Sequence, residues 1–287
     1  MSLLLWRQLR DEGLARLRDA GVDDPEQELR WIIERATGRS PSEQVLALDE
    51  PAGVREVRSY DDLVARRATG EPLQYVLGRW GFRTLDLLVD ARVLIPRPET
   101  EVVAGLAIAE IEALGRSAVA VDLGTGSGAI ALAVAAERWP HVEVWATDAS
   151  PDALAVARAN LAGLGRRASA IRLLEGDWYA ALPDGLRGQV DVVVSNPPYV
   201  AASDVLPAEV AGWEPTAALV PGPTGLEHIE VIVAQAGEWL TPEGVLVVEI
   251  GETQARRVVD LAVAAGFASA EVHPDLAGRD RALVARR

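Results

Sequence analysis

The sequence predicts an α/β protein in which a doubly wound, mostly parallel sheet of seven strands follows a small N-terminal helical domain and a linking β-hairpin. Two observations support this prediction. From Ala118 to the end of the chain, apolar runs of strand length alternate with helical segments, a pattern typical of parallel sheets covered by helices. The first ~70 residues show only helical spacing. Ligands of doubly wound sheets bind at the carboxyl ends of the strands, so the residues just after each strand are candidate site residues.

Residues 1–72 are predicted to form the helical domain. Leucines recur near helical spacing over Leu4–Leu17, and the segment Gly21–Pro25 interrupts the pattern. A second helix is expected to end at Thr37-Gly38, and the last helix of this domain is expected at Asp61–Ala68.

Residues 73–95 are predicted to link this domain to the sheet. Two apolar stretches, Leu73–Leu77 and Leu85–Leu94, lie on either side of the segment Gly78–Phe82. Short apolar stretches around a glycine-containing turn are typical of a hairpin, so we expect an antiparallel β-hairpin or a pair of short strands. Residues 96–287 then form the domain that carries the sheet.

The apolar runs divide this last domain into strands and helices. Strands are expected at Ala118–Val121, Val142–Ala146, Ala170–Leu174, Val190–Val194, Val245–Ile250, Ala270–His273 and Ala282–Ala285. Helices are expected at Ala129–Glu137, Pro151–Leu161, Glu227–Leu240 and Gln254–Ala265. Because most of the strands are separated by helices, we expect most of the sheet to be parallel.

Composition and charge exclude several kinds of chemistry. The 287-residue chain has no cysteine, all 28 of its basic residues are arginine, and its net charge is −15. Disulfides, thiolate nucleophiles, cysteine-bound zinc and lysine Schiff bases are therefore excluded, and no metal centre is predicted. The acidic charge argues against a large nucleic-acid surface. No apolar run approaches the ~20 residues of a membrane helix and no signal peptide is recognised, so we expect a protein of the cytoplasm. The sequence gives no sign of oligomerisation, so we expect a monomer.

A glycine-rich turn, Asp122–Gly128, joins the first strand of the sheet to the next helix. Its glycines allow a sharp turn and close approach to a ligand, and the helix N-terminus offers free N–H groups. The candidate ligand contacts in the turn are Gly124, Thr125, Gly126, Ser127 and Gly128. Alone, the turn does not identify the ligand, because Gly124, Gly126 and Ala129 also satisfy the nicotinamide dinucleotide fingerprint, with Asp148 about 20 residues farther on. A turn that binds nothing is the other alternative.

Acidic residues after the strands favour S-adenosylmethionine over a dinucleotide. A carboxylate at Asp122 would repel a pyrophosphate but attract the cationic amino group of S-adenosylmethionine. Asp148 ends the second strand of the sheet, where it is placed to accept hydrogen bonds from both ribose hydroxyls. Its alternative role is the N-cap of the next helix, for which Ser150 is the more natural residue. Asp177 and Trp178 follow the third strand, where Trp178 would stack on the adenine or else be a buried core residue.

The segment Asn196-Pro197-Pro198-Tyr199 directly follows the fourth strand of the sheet. Consecutive prolines make the segment rigid and leave its carbonyl oxygens exposed. A planar amide or aromatic amine must be held through both N–H bonds to aim its nitrogen at a sulfonium methyl group. The side-chain oxygen of Asn196 and the carbonyl of Pro197 are suited to accept hydrogen bonds from these N–H groups. The ring of Tyr199 is suited to pack against the planar group. A plain turn after the strand is the alternative, and it explains only Asn-Pro.

Together these motifs resemble those of the HemK/PrmC family of protein-(glutamine-N5) methyltransferases over nearly the whole chain. Asp122–Gly128 is similar to the cofactor loop of that family, Asp148 to its ribose carboxylate, and Asp177-Trp178 to its Asp-Trp cofactor contact. Asn196–Tyr199 is similar to its substrate-amide clamp, with Asn196 also expected to contact the cofactor. A family signature before the sheet reads Val93-Leu94-Ile95-Pro96-Arg97-Pro98-Glu99-Thr100-Glu101 here.

The resemblance implies a Rossmann-like class I methyltransferase fold, S-adenosylmethionine as cofactor and class-1 peptide chain release factors as protein substrates. The glutamine of their Gly-Gly-Gln motif would enter the clamp and take the methyl group on its side-chain nitrogen, giving N5-methylglutamine and S-adenosylhomocysteine. The helical domain and hairpin would hold the release factor. An adenine-N6 nucleic-acid methyltransferase is the main alternative; a nicotinamide oxidoreductase and a module that binds S-adenosylmethionine without turnover are the others.

Two further segments bear on the resemblance. Glu249-Ile250-Gly251 with Gln254 matches the family near the C-terminus. Gly222-Pro223-Thr224-Gly225 departs from the Gly-Gly-x-Asp-Gly-like turn that is usual there, and we expect this loop to lie outside the clamp. Within the signature, Arg97 and Glu99 are expected either to shape the pocket or to form an ion pair that fixes the loop.

Overall fold

The computed structural model describes residues 4–287. The chain forms two compact units, of which the smaller comprises residues 4–79 and Pro207–Trp213, and the larger Trp80–Leu206 and Glu214–Arg287. No helix in the described part of the chain is both long enough and apolar enough to cross a membrane.

The smaller unit is helical, as predicted. Its helices are α1 (Trp6–Asp19), α2 (Pro25–Thr37), α3 (Pro41–Leu46), α4 (Val54–Ala68), α5 (Leu73–Leu77) and α9 (Ala208–Trp213). The hydroxyl of Tyr60 on α4 donates to the carbonyl oxygen of Leu9 on α1 over 2.6 Å, and its ring meets that of Trp6 edge-on. Arg67 on α4 forms an ion pair of 2.5 Å with Glu28 on α2. The helix expected at 61–68 begins earlier in the chain than predicted, at position 54.

The stretch Leu73–Leu77 is a helix, so the prediction that it forms a strand of the hairpin is wrong. A stretch of five residues, of which only Gln74 is not apolar, fits either kind of element. Pro72 precedes the first turn, where a missing N–H costs nothing, and Gly78 ends the helix in the left-handed conformation. The hairpin lies just beyond, as a two-stranded sheet of β1 (Arg79–Phe82) and β2 (Leu85–Leu88).

The larger unit contains the predicted seven-stranded sheet. Its strands are β3 (Ala118–Leu123), β4 (Val142–Asp148), β5 (Ile171–Glu175), β6 (Val190–Ser195), β7 (Leu240–Glu249), β8 (Ser269–Pro274) and β9 (Asp280–Arg286). They lie in the order β5-β4-β3-β6-β7-β9-β8, in which β9 runs antiparallel to both neighbours and the other pairs are parallel. This confirms the doubly wound, mostly parallel fold.

Helices cover both faces of the sheet. They are α6 (Pro98–Ala113), α7 (Ala129–Arg138), α8 (Pro151–Ala162), α10 (Glu227–Trp239) and α11 (Ala255–Ala264). Side chains of β3 alternate between the faces: Ala118 and Ala120 join the core under α6 and α7, whereas Val121 and Leu123 join the core under α10 and α11. Helix α6 was not predicted, because its apolar residues are spread around the helix instead of forming one stripe.

The strand order reverses between β3 and β6. The chain runs from β3 outward through β4 and β5 and then returns to the other side of β3. The last residues of the two adjacent strands, Leu123 and Ser195, are paired in register. Gly124 and Asn196 therefore leave the sheet side by side at its carboxyl edge, which is where doubly wound folds bind their ligands.

Candidate active site

A cavity of about 430 Å³ opens at this carboxyl edge of the larger unit. Its lining includes most of the residues predicted to form the site, namely Gly124, Thr125, Gly126, Ser127, Asp148, Asp177, Trp178, Asn196 and Pro198. The predicted residues Asp122, Gly128, Pro197 and Tyr199 do not line this cavity. The structure thus places the cofactor motifs and the tetrapeptide around one space.

The glycine-rich turn adopts a backbone conformation that side chains disfavour. Gly124, Gly126 and Gly128 all have positive φ, of 72°, 56° and 86°. A Cβ on Gly124 would come within 3.1 Å of the ring of Trp178, whereas a Cβ on Gly126 would meet no atom within 4 Å. The turn therefore leaves an open cradle before the N-terminus of α7, which suits a ligand that approaches the backbone closely.

Asp122 is a buried carboxyl with only one of its two oxygens hydrogen-bonded. Its Oδ2 accepts hydrogen bonds from the Thr125 hydroxyl (2.6 Å) and the Ala131 N–H (3.1 Å). Its Oδ1 has no hydrogen-bond partner among the residues described. Burial raises the pKa of Asp122 to about 7, although the Thr125 and Ala131 hydrogen bonds act to lower it. A cationic ligand group would offset this cost, so the site fits the amino group of S-adenosylmethionine.

Asp148 is fixed by the backbone around it. Its two oxygens accept from the N–H groups of Gly126 (2.8 Å) and Ser150 (2.9 Å). Burial raises its pKa, and these two hydrogen bonds act to lower it. The Ser150 hydroxyl caps helix α8 by accepting a hydrogen bond from the Ala153 N–H at 3.2 Å. Ser150 is therefore the N-cap of this helix, and the alternative role of Asp148 as the cap is wrong. Its binding of ribose stays a prediction.

Trp178 is partly buried. Its position is intermediate between the two predicted roles, adenine stacking and a buried core residue. It packs against the core on one side of the sheet and also lines the cavity, where its ring meets that of His228 at a centroid distance of 5.1 Å. Its φ of 45° is unusual for a bulky residue. Such strain persists where surrounding structure imposes it, often at functional sites. The neighbouring Asp177 is exposed and also lines the cavity.

The tetrapeptide divides between the cavity and the core. Asn196 and Pro198 line the cavity, and Pro197 is buried. The Asn196 Nδ2 donates to the Oγ1 of Thr100 at 3.0 Å. The Tyr199 hydroxyl donates to Oε1 of Glu249 at 3.2 Å, and neither residue lines the cavity. The predicted packing of Tyr199 against a substrate amide stays a prediction.

Three of the polar side chains that line the cavity were not assigned a role from the sequence: Arg92, Thr100 and His228. Thr100 belongs to the signature that precedes the sheet, and its position in the first turn of α6 carries it to Asn196. His228 stands in the first turn of α10, far in sequence from every recognised motif. The position of Thr100 within the signature could have singled it out, whereas nothing comparable marks Arg92 or His228.

Comparison with known protein families matches two parts of the chain. Residues 8–78 match the family described as PrmC N-terminal domain, and residues 105–211 match the one described as Methyltransferase small domain. The first match falls within the smaller unit. The second spans the glycine-rich turn, Asp148 and the tetrapeptide.

Curated relatives match over almost the full length. A release factor glutamine methyltransferase from Rhodospirillum rubrum is 40% identical over 290 residues, covering 100% of this chain and 86% of that protein. A protein of the same name from Moorella thermoacetica is 40% identical, covering 98% of each. The chain belongs to the release factor glutamine methyltransferase family.

Solved structures place this family member in a wider fold group. The hMettl16 catalytic domain, solved with the MAT2A 3'UTR hairpin 6, has a TM-score of 0.55 at 16% identity, covering 78% of this chain and 81% of that one. A methyltransferase from Pyrococcus furiosus has a TM-score of 0.50 at 18% identity, covering 81% and 97%. Likeness at these identities shows the shared methyltransferase fold.

The loop in which this family member departs from the usual sequence lies against the tetrapeptide, contrary to our expectation. Gln254 Nε2 donates to the carbonyl oxygens of both Tyr199 (3.1 Å) and Gly225 (3.2 Å). A Cβ on Gly225, whose φ is 75°, would come within 2.4 Å of the Tyr199 oxygen. The loop therefore supports the backbone of the tetrapeptide.

The signature residue Arg97 forms an ion pair. Its guanidinium contacts the carboxylate of Glu214, whose other oxygen accepts from the N–H of Ile95 at 3.1 Å. Glu214 is buried, so removing its partner would leave an uncompensated charge. Of the two roles expected for Arg97 and Glu99, this contact supports the ion pair for Arg97, with Glu214 instead of Glu99 as its partner.

Proposed function

We propose that this chain transfers a methyl group from S-adenosylmethionine to the side-chain amide nitrogen of the glutamine in the Gly-Gly-Gln motif of class-1 peptide chain release factors. The products are N5-methylglutamine and S-adenosylhomocysteine. One observation carries the proposal: in a member of this family, Asn196 and Gly124 leave adjacent strands side by side and line one cavity.

The cofactor is assigned to the side of the cavity formed by the glycine-rich turn. Asp148 accepts hydrogen bonds from the ribose hydroxyls, and Trp178 contacts the adenine. The carboxylate of Asp122 offsets the positive charge of the amino group. When bound, S-adenosylmethionine supplies a methyl group on a positively charged sulfur. The acidic residues around the turn are compatible with that cation, whereas they would repel a dinucleotide pyrophosphate.

The substrate amide is assigned to the tetrapeptide. The Oδ1 of Asn196 and the carbonyl oxygen of Pro197 each accept a hydrogen bond from one N–H of the glutamine amide. These two hydrogen bonds aim the nitrogen at the methyl carbon, so that a bimolecular reaction becomes an effectively unimolecular one. In the transfer a carbon–nitrogen bond would form as the carbon–sulfur bond breaks, and the proton lost from the nitrogen would pass to water. No side chain of shifted pKa is needed as a base, because the sulfur loses its positive charge in the same step.

The same proposal includes the setting in which the enzyme acts. A release factor as substrate places it in the cytoplasm with the translation machinery. The net charge of −15 supports recognition of a protein without direct contact to nucleic acid. A monomer is proposed, and size-exclusion chromatography with light scattering checks it.

The choice of acceptor is tested with methyl-labelled S-adenosylmethionine. The purified chain is incubated with a class-1 release factor in one tube and with unmethylated duplex DNA in another. We expect label on the release factor, and no label when its Gly-Gly-Gln glutamine is replaced by asparagine. Label on DNA alone would instead identify an adenine methyltransferase and overturn the proposal.

A further inference from the structure

The short turn that carries Trp178 is held against helix α10. This turn is a 3-10 helix over Trp178–Ala181. Its second residue, Tyr179, is buried, and the Tyr179 hydroxyl donates to the carbonyl oxygen of Ile232 on α10 at 3.1 Å. The Tyr179 ring stacks on that of Trp239, the last residue of α10, at a centroid distance of 5.8 Å. Helix α10 therefore supports the backbone next to Trp178.

The indole of Trp178 lies close to two other residues of the cavity wall. It meets the imidazole of His228, in the first turn of α10, at a centroid distance of 5.1 Å and an interplanar angle of 56°. A Cβ on Gly124 would lie 3.1 Å from Cζ3 and 3.5 Å from Cη2 of the indole. All three residues line the cavity. One indole thus connects His228 to the glycine-rich turn.

The backbone of Trp178 needs support from its surroundings. Its φ of 45° is a conformation that bulky residues rarely adopt, and such a conformation persists only where neighbouring structure imposes it. Tyr179 fixes the backbone of the turn, whereas the His228 ring contacts the indole itself. Because contacts between rings depend on their mutual orientation, the imidazole restricts the orientation of the indole. His228 stands on a packed helix, and residues on such elements hold a site more accurately than loop residues do.

We propose that His228 is a positioning residue of the cofactor site, whose ring holds the indole of Trp178 in the orientation that binds the adenine of S-adenosylmethionine. This inference rests on the proposed contact of Trp178 with the adenine, and it is independent of the methyl acceptor. It gives a role to a cavity residue that lies outside every recognised motif. Because His228 acts through Trp178, its contribution to binding should vanish when the indole is removed.

The contact between the two rings can be observed by NMR without any cofactor. The sequence contains three histidines, His141, His228 and His273, so selective histidine labelling gives three imidazole signals. The signal that is missing in His228→Phe identifies His228. His141 and His273 do not line the cavity and serve as internal references. Because Trp178→Ala removes the ring current of the indole, we expect it to shift the His228 signal and leave the other two in place.

Calorimetric titration with S-adenosylmethionine provides the second readout. His228→Ala should weaken binding by about 3- to 10-fold, the range expected when one contact between rings is lost. His228→Phe retains a ring and should recover most of the affinity. The matched control is His141→Ala, because His141 is an exposed histidine outside the cavity, and the affinity of this variant should equal that of wild-type protein. When Trp178 is already replaced by alanine, His228→Ala should cause no further loss.

The outcomes separate the inference from the proposed function. A loss of affinity in His228→Ala that is recovered in His228→Phe, and that disappears in the Trp178→Ala background, would support the positioning role. A His228 signal that is unchanged in Trp178→Ala, unchanged affinity in His228→Ala, or losses that add in the double variant would overturn it. Wild-type protein that binds S-adenosylmethionine but fails to methylate a release factor would overturn the proposed acceptor alone, since neither readout needs an acceptor.

Discussion

The hydroxyl of Ser195, the last residue of β6, donates a 2.7 Å hydrogen bond to the carbonyl oxygen of Leu123, the last residue of β3. Both residues are fully buried. The bond ties the ends of the two central strands together at the point where the strand order reverses. Gly124, the first glycine of the turn, and Asn196, the first residue of the tetrapeptide, directly follow these two residues, so their spacing is set by the sheet.

Replacing Asn196 by alanine should abolish methyl transfer and leave cofactor binding largely intact. The substitution removes the oxygen proposed to hold the substrate amide, while the glycine-rich turn and Asp148 remain. Transfer to a release factor and calorimetric titration with S-adenosylmethionine measure the two effects. A loss of cofactor affinity as large as the loss of transfer would contradict the clamp role.

Replacing Asp148 by alanine should weaken cofactor binding by about 1–3 kcal/mol, the range for a buried polar group left without its partner. Asp152→Ala is the matched control, because Asp152 is an exposed aspartate in the first turn of α8 that does not line the cavity. Calorimetry on both variants gives the comparison. Unchanged affinity in Asp148→Ala would remove the ribose assignment.

Cofactor affinity should depend on pH through Asp122. Burial raises the pKa of this carboxyl to about 7, with the nearby charge of Asp148 acting in the same direction. A bound cation favours the ionised form, so binding releases a proton and should weaken as the pH falls below about 7. Asp122→Asn should flatten this dependence between pH 6 and pH 8. An equally steep dependence in the variant would show that another group titrates.

Stability should depend on pH through Glu249. Burial raises its pKa to about 7, against the opposing effects of Thr100, Arg281 and Tyr199, while Glu99 acts in the same direction as burial. Because the folded-state pKa is raised, wild-type protein should lose stability relative to Glu249→Gln as the pH rises from about 4.5 to about 7. Urea denaturation of both proteins across this range measures the difference. A constant difference would indicate an ordinary carboxyl pKa.

Gly225→Ala should destabilise the protein by about 1–3 kcal/mol more than Gly188→Ala, because the new methyl group clashes with the Tyr199 carbonyl. The two glycines have similar φ, of 75° and 68°, but a Cβ on Gly188 would meet nothing within 4 Å. Comparing the two variants therefore separates the effect of the clash with Tyr199 from the effect of placing alanine at a positive φ. Equal losses in urea denaturation would argue against support of the tetrapeptide by this loop.

Much of the sheet domain is predictable because its local patterns are strong. Buried parallel strands such as β3 contain continuous apolar runs, here Ala118–Val121, and the ends of these strands mark the ligand edge. Helix α6 lacks an apolar stripe and Leu73–Leu77 is too short to show a period, so neither was identified. The candidate residues of the turn, Asp148 and the tetrapeptide follow strand ends, and the structure brings them to one cavity.

The contacts behind the tetrapeptide were beyond sequence reasoning. Glu249 and Thr100 were visible as parts of family motifs, but no local pattern connects residues so far apart in the chain. The contact of Thr100 with Asn196 depends on the placement of α6, and the contact of Glu249 with Tyr199 depends on the pairing of β6 with β7. For the same reason, support of Tyr199 by the loop at Gly225 could not be read from the sequence.

The most direct test of the account is to locate the methyl group by tandem mass spectrometry, after reaction of a class-1 release factor with wild-type protein and with Asn196→Ala. The account predicts a methyl group on the side-chain nitrogen of the Gly-Gly-Gln glutamine with wild-type protein and none with the variant. A methyl group on any other residue, or the same glutamine modified equally by Asn196→Ala, would contradict it.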